Sequence, residues 1–132
     1  MLFRSEDAAL NTPNVVFSCR TEPHGLAYTI VISVINAGGH STEIVKGEIS
    51  LQSREYPEAS KSYVLTGQKI AGRGEHIVKL EAKASFVHSL TPGVAPAEII
   101  CKAVYTRPDQ DNGHAETTYQ YSQSSRNFIV KK

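Results

Sequence analysis

Leu26-Ala27-Tyr28-Thr29-Ile30-Val31-Ile32-Ser33-Val34-Ile35-Asn36 is the stretch on which the fold turns. Leu26, Tyr28, Ile30, Ile32 and Val34 recur at every second position, the spacing of a strand with one face on a core. A helix would need apolar side chains three and four apart, so the run is read as a central strand. Upstream, Val15, Phe17 and Cys19 alternate with Val16, Ser18 and Arg20, and Glu22-Pro23-His24-Gly25 has the chemistry of a turn, so the two strands form a hairpin. Downstream, Asn36-Ala37-Gly38-Gly39-His40 breaks the run, the paired glycines being suited to a tight reversal. A third strand then spans Thr42 to Gln52 with Val45, Ile49 and Leu51 inward.

The same reading extends to the C-terminal end. Polar Ser53 to Lys61 reads as a crossing loop, Ser62 to Ile70 as a fourth strand weakened by Gly67, and Ala71-Gly72-Arg73-Gly74 as a turn. Val78, Leu80, Ala82 and Ala84 share one face of a fifth strand. Ala84, Val87 and Leu90 also fall three apart, which is compatible with a short helical turn before Thr91-Pro92-Gly93. Ile99, Cys101, Ala103 and Tyr105 mark a sixth strand, Asp109 to His114 a loop, and Glu116 to Lys132 a last element. Its interruption at Ser122 to Ser125 suggests a bulge or a switch between sheets. Strands joined by Gly, Pro and Asn turns, with no alternating helices and no fixed-period repeat, predict an all-β chain. Its expected architecture is an immunoglobulin-like two-sheet antiparallel β-sandwich of about seven strands, with a closed barrel as the structural rival. Residues 1–13 read as a flexible N-terminal segment and 14–132 as the domain.

Composition agrees. Eleven Val and ten Ile against seven Leu favour pleated strands, and 132 residues suffice for one core. Fourteen basic and thirteen acidic side chains leave a net charge of +1, too little to gather nucleic-acid phosphate, so no nucleic-acid partner is expected. No apolar run approaches the roughly 18 to 20 residues that cross a bilayer, so this segment is not expected to insert into a membrane. If Met1 is the native start, the expected location is cytoplasmic. If the chain is an excised domain, it is extracytoplasmic and membrane-anchored.

Two short patterns are similar to a known group. Val34-Ile35-Asn36-Ala37-Gly38-Gly39, a strand ending in an Asn-x-Gly turn, is followed by an alternating Ile44 to Leu51; and Ile70-Ala71-Gly72-Arg73-Gly74-Glu75 leads into Val78 and Leu80. In these the chain resembles bacterial immunoglobulin-like modules of the cell-adhesion-related and adaptor-appendage-like kind, over roughly Tyr28 to Glu116. The resemblance implies an accessory or interaction module, often part of a larger envelope or secreted protein. Antibody-type domains differ: they carry a Trp on the third strand and cysteines on strands two and six, whereas this chain has no Trp and its first cysteine is on strand one.

Candidate chemistry is sparse. Cys19 and Cys101 fall on inward positions, as two small core residues or as an inter-sheet disulfide in an oxidising compartment. Asp109-Gln110-Asp111-Asn112-Gly113 starts like a calcium loop, but Tyr119 stands where the closing Glu belongs, and a hairpin turn with positive φ at Asn112-Gly113 fits better. The histidines form no close pair, no serine sits in a nucleophile elbow, and Gly72-Arg73-Gly74 lacks the features of a phosphate loop. No cofactor or metal and no catalytic residue is therefore expected.

Sandwich topology would gather the second, fourth and sixth connections at one end, bringing together His40, Arg73, Arg107, Asp109, Asp111 and His114 as a binding rim. The expected function is a non-catalytic protein-interaction or accessory module. Its partner would be another protein, through this rim or an exposed edge strand, with a homo-oligomer formed through edge strands as one form of the latter. The alternative is a carbohydrate-binding module using Tyr105, Tyr119 and Tyr121, although parity places Tyr105 on the core face.

Overall fold

The structure, a computed structural model, describes residues 11–54, 56–57, 60–88, 96–108 and 110–131. In chain order its elements are β1 (Val15–His24), β2 (Ala27–Asn36), β3 (Thr42–Gln52), β4 (Lys61–Val64), β5 (Lys69–Ile70), β6 (Glu75–Lys83), a single helical turn α1 (Ala84–Val87), β7 (Glu98–Tyr105), β8 (Gly113–Ser122) and β9 (Asn127–Val130).

The strands form two antiparallel sheets. One has the order β1-β2-β6; the other runs β4-β3-β7-β8-β9, with β5 paired to the start of β3. The chain changes sheet after β2, after β5 and again before β7, which is the Greek-key wiring of an immunoglobulin-like sandwich. β2 is central to the smaller sheet because it is apolar on both faces. Ile30, Ile32 and Val34 are fully buried in the core, and Val31 is buried on the outer face between Arg20 and Lys79, whose stems flank it in the register. Opposite β2 stand Ile49 and Leu51 of β3, Ile99 and Cys101 of β7, Tyr119 of β8 and Phe128 of β9, all buried. Each fully buried aliphatic side chain contributes roughly 1.5–3 kcal/mol. No helix among the described residues is long and apolar enough to cross a membrane.

Several local expectations change. Leu26 is 89% exposed, because β1 runs on through Pro23 to His24 and the hairpin reverses at Gly25-Leu26. Val45 points outward and Ile44 is the buried residue, since a bulge between Ile44 and Lys46 inserts one residue and inverts the inward parity of the first part of β3. The fourth strand is split into β4 and β5 around Gly67, at φ +88°. The final element neither bulges nor changes sheet: Gln123 to Arg126 form a turn, and β9 returns as a hairpin on β8. Gly113 does not have positive φ; it is the first residue of β8, and its missing side chain makes room for the Tyr105 ring. The helical turn is α1, while Leu90 lies outside the described residues. Of the expected flexible segment, residues 1–10 lie outside the described residues. Residues 11–13 pack on the domain, with Pro13 fully buried and the Asn11 carbonyl accepting from His40 N at 2.8 Å.

Candidate functional site

At one end of the sandwich, Asn36 closes β2 with its side chain 0% exposed. Its Oδ1 accepts from Gly38 N at 3.0 Å, an Asx turn made by the Asn-x-Gly sequence itself, and from Asn14 N at 3.3 Å. Its Nδ2 donates to the carbonyls of His40 at 2.7 Å and Ala71 at 3.3 Å. One amide thus joins the start of β1, the β2–β3 loop and the β5–β6 turn. Backbone bonds add to this seam: Asn36 N donates to Gly74 O at 2.9 Å and Arg73 N to Gly38 O at 2.8 Å. The approach is close enough that a Cβ on Gly38 would collide with the Thr12 carbonyl, and one on Gly72 with the Gly39 carbonyl. The β7–β8 loop joins through Thr42, whose hydroxyl donates to Thr106 O at 2.8 Å, while Thr106 N donates to Glu43 O at 3.1 Å.

Of the three loops expected to meet, the β2–β3 loop and the β5–β6 turn are tied backbone to backbone, and the β7–β8 loop is tied to the start of β3. His40 and Arg73 are exposed on them. Arg73 stands at φ 58°, a left-handed conformation that costs a side-chain-bearing residue on the order of 1 kcal/mol. Arg107 turns back on its own loop, Nε donating to the Asp111 carbonyl at 2.8 Å, and Asp111 is exposed. Asp109 lies outside the described residues. His114 belongs to β8 rather than to the loop tip. Opposite Val104, it looks onto the outer face of the larger sheet, where it lines a groove of about 680 Å³ with Lys46, Val64 and Glu116. The five described residues thus lie on loops at one end and on the adjoining face, with no side-chain hydrogen bond or ion pair shown between His40 or Arg73 and the other three.

The other candidates resolve into the core. Cys19 and Cys101 are free thiols on the inner faces of β1 and β7. Burial pushes both up to about 12, with the charge of Cys19 adding to the rise at Cys101. Tyr105 and Tyr119 are each 5% exposed, so they form no aromatic strip toward solvent. Among the described residues, no group of three or more His, Cys, Asp or Glu side chains is placed to hold a metal ion.

At the opposite end lies a constellation that sequence spacing does not reveal. Tyr28 opens β2, His88 follows α1 and Tyr121 closes β8. The Tyr28 hydroxyl hydrogen-bonds His88 Nε2 at 2.7 Å and the Tyr121 hydroxyl at 3.2 Å. The Tyr28 and His88 rings stack at 5.6 Å and 21°, and His88 and Tyr121 lie 4.7 Å apart. Burial first, then the hydrogen bond with Tyr28, pushes the Tyr121 phenol up to about 12 against a downward pull from Arg126. These residues line a recess of about 400 Å³ with Pro23, Gln123 and Arg126. Tyr28 and His88 are 60 residues apart and Tyr28 and Tyr121 are 93 apart, so only the fold assembles them.

Fold and loops together define an immunoglobulin-like β-sandwich domain whose two ends are built differently, one by backbone-tied loops and the other by aromatic side chains. No family model matches the chain, and no curated protein does. Two solved structures are similar to it at low identity. One is named "Putative ApaA Protein from Bordetella pertussis": 10% identity, 82% of this chain and 93% of that one, TM-score 0.48. The other is the structural-genomics target SoR45: 8% identity, 80% and 81% coverage, TM-score 0.45.

Proposed function

We propose that this chain is a non-catalytic interaction module that recognises another protein through the rim of His40, Arg73, Arg107, Asp111 and His114, in keeping with the bacterial immunoglobulin-like modules its turns resemble. The observation that carries the reading is the seam around Asn36. It locks the β2–β3 loop to the β5–β6 turn, the β7–β8 loop being tied alongside to the start of β3, while His40, Arg73 and Asp111 stand exposed on these loops. A pre-ordered backbone presenting solvated charges loses little entropy on binding, as a recognition surface requires. Arg73 supports the same reading, since a turn between two glycines holds an arginine where glycine would be less strained. The thiols, raised to about 12 in the core, are the reverse of what a thiolate nucleophile requires.

A photo-crosslinking amino acid at position 40, 73 or 111, in the native cells, is expected to give one discrete protein adduct. The same probe at position 26, at the far end, gives none. Arg73→Ala combined with Asp111→Ala should abolish the adduct formed from position 40. Alanine keeps the positive-φ cost at position 73, so the change reports the guanidinium. Equal labelling from both ends, or an adduct indifferent to the double substitution, would refute the rim.

A further inference from the structure

We propose that the recess lined by Tyr28, His88, Tyr121 and Arg126 is a binding site for a small ligand carrying a carboxylate on a six-membered ring. The volume, about 400 Å³, falls at the lower end of the ~300–1,000 Å³ spanned by small-molecule sites, which suits one ring rather than a chain of residues or sugars. Its lining is aromatic: Tyr28 and His88, both half-buried, stack on each other and rest on Tyr121, which is 3% exposed, so a ligand would meet Tyr28 and His88. Offset stacking or edge contacts on such walls hold a flat or chair-shaped ring.

The polar chemistry sets the ligand's charge. Arg126 and Gln123 are exposed at the recess, and among the described residues no carboxylate lines it. Among the described residues the Arg126 guanidinium has no carboxylate partner, so its planar fork is free for a bidentate anion and would repel a cation. Arg126 is at φ 54°, in the tight turn between β8 and β9 where glycine would be unstrained. It and Arg73 are the two non-glycine residues with positive φ among those described. The Tyr28 hydroxyl is engaged on both sides, by His88 Nε2 and the Tyr121 hydroxyl, which fixes the walls before any ligand arrives. One cation with aromatic walls suits a monoanionic carboxylate on a ring better than a compact dianion such as phosphate.

Ring carboxylates come as aryl acids or as acidic sugars, and a titration of the full chain followed by two-dimensional NMR separates them. The probes are benzoate, glucuronate, their neutral counterparts benzamide and glucose, and inorganic phosphate, all at constant ionic strength. The expected result is that one carboxylate shifts the resonances around Tyr28, His88, Tyr121 and Arg126 with an affinity about tenfold above its neutral counterpart. Benzoate ahead of glucuronate assigns an aryl acid, and the reverse an acidic sugar. Arg126→Gly relieves the positive φ, so it should keep or raise the melting temperature while weakening the carboxylate by about tenfold. The proposal fails if benzamide matches benzoate and glucose matches glucuronate, if phosphate matches both acids, if Arg126→Gly binds unchanged, or if neither acid moves these resonances at about 10 mM. The recess is at the far end from the rim, so this outcome is independent of the protein-recognition reading.

Discussion

Asn36 ends the central strand with both atoms of its amide engaged below the surface, and backbone groups of Asn14, Gly38, His40 and Ala71 depend on it. Asn36→Ala would strip partners from several groups at once. Buried groups without partners cost about 1–3 kcal/mol each, and relaxation and water entry recover part of that, so a loss of about 2–4 kcal/mol is expected. Urea denaturation should show the midpoint falling with an unchanged slope; a loss under ~0.5 kcal/mol would mean that the loops hold together without it. The sequence shows half of this arrangement. An Asn two residues before a Gly announces the short-range turn, but the reach to Ala71 depends on how β5 and β6 return, which no local pattern encodes. Tyr28, His88 and Tyr121 make the same point more sharply. Each reads as an ordinary strand or loop residue, and only their meeting across two sheets makes a site.

Among the elements, strict alternation is what made β2, β6 and β7 legible, because each keeps one unbroken parity toward the core. β3 does not, and the residue assigned inward from its parity, Val45, is 44% exposed. A bulge leaves no mark in an alternating pattern when both residues beside it are apolar, as Ile44 and Val45 are. Glycines are ambiguous for a related reason: a Gly in a turn can supply positive φ or simply make room, and sequence does not separate the two. Gly72 and Gly67 test the difference. At Gly72 a methyl group would enter the Gly39 carbonyl, and Gly72→Ala should cost about 1–3 kcal/mol by overpacking the seam between the β2–β3 loop and the β5–β6 turn. At Gly67 a methyl meets open space, so Gly67→Ala should cost only the φ +88° strain, about 1 kcal/mol. Thermal melts of the two variants should keep that order. Crosslinking from position 40 should suffer more in the first, since a methyl group on Gly72 would press on Gly39 and His40 whereas one on Gly67 meets open space.

Across the whole molecule, four titratable groups among the described residues lie in or against the core, which disfavours their charged forms. Burial raises Cys19 and Cys101 from 9.0 to about 12, and burial of Tyr119, together with the nearby charges of Cys101 and Cys19, raises it from 10.0 to about 12. Tyr121 rises likewise. Each group releases its proton more readily unfolded than folded. The folded state is therefore favoured in full below the unfolded value and loses that advantage as pH climbs toward the folded one. For the thiols this window runs from pH 9 to 12, and the tyrosines join from pH 10. The melting temperature should hold level through neutral pH and fall by on the order of 10 °C between pH 9 and 11. Cys19→Ala combined with Cys101→Ala leaves a protein less stable at pH 7, because the core loses volume, but with a visibly shallower fall above pH 9. The intact chain should also resist a thiol reagent at pH 8 until urea opens it, with labelling tracking the unfolded fraction. If Cys101, fully buried on β7, reacted at the rate of a free thiol in the folded protein, the two sheets would have to part; Cys19, half-buried on β1, is the less protected of the two.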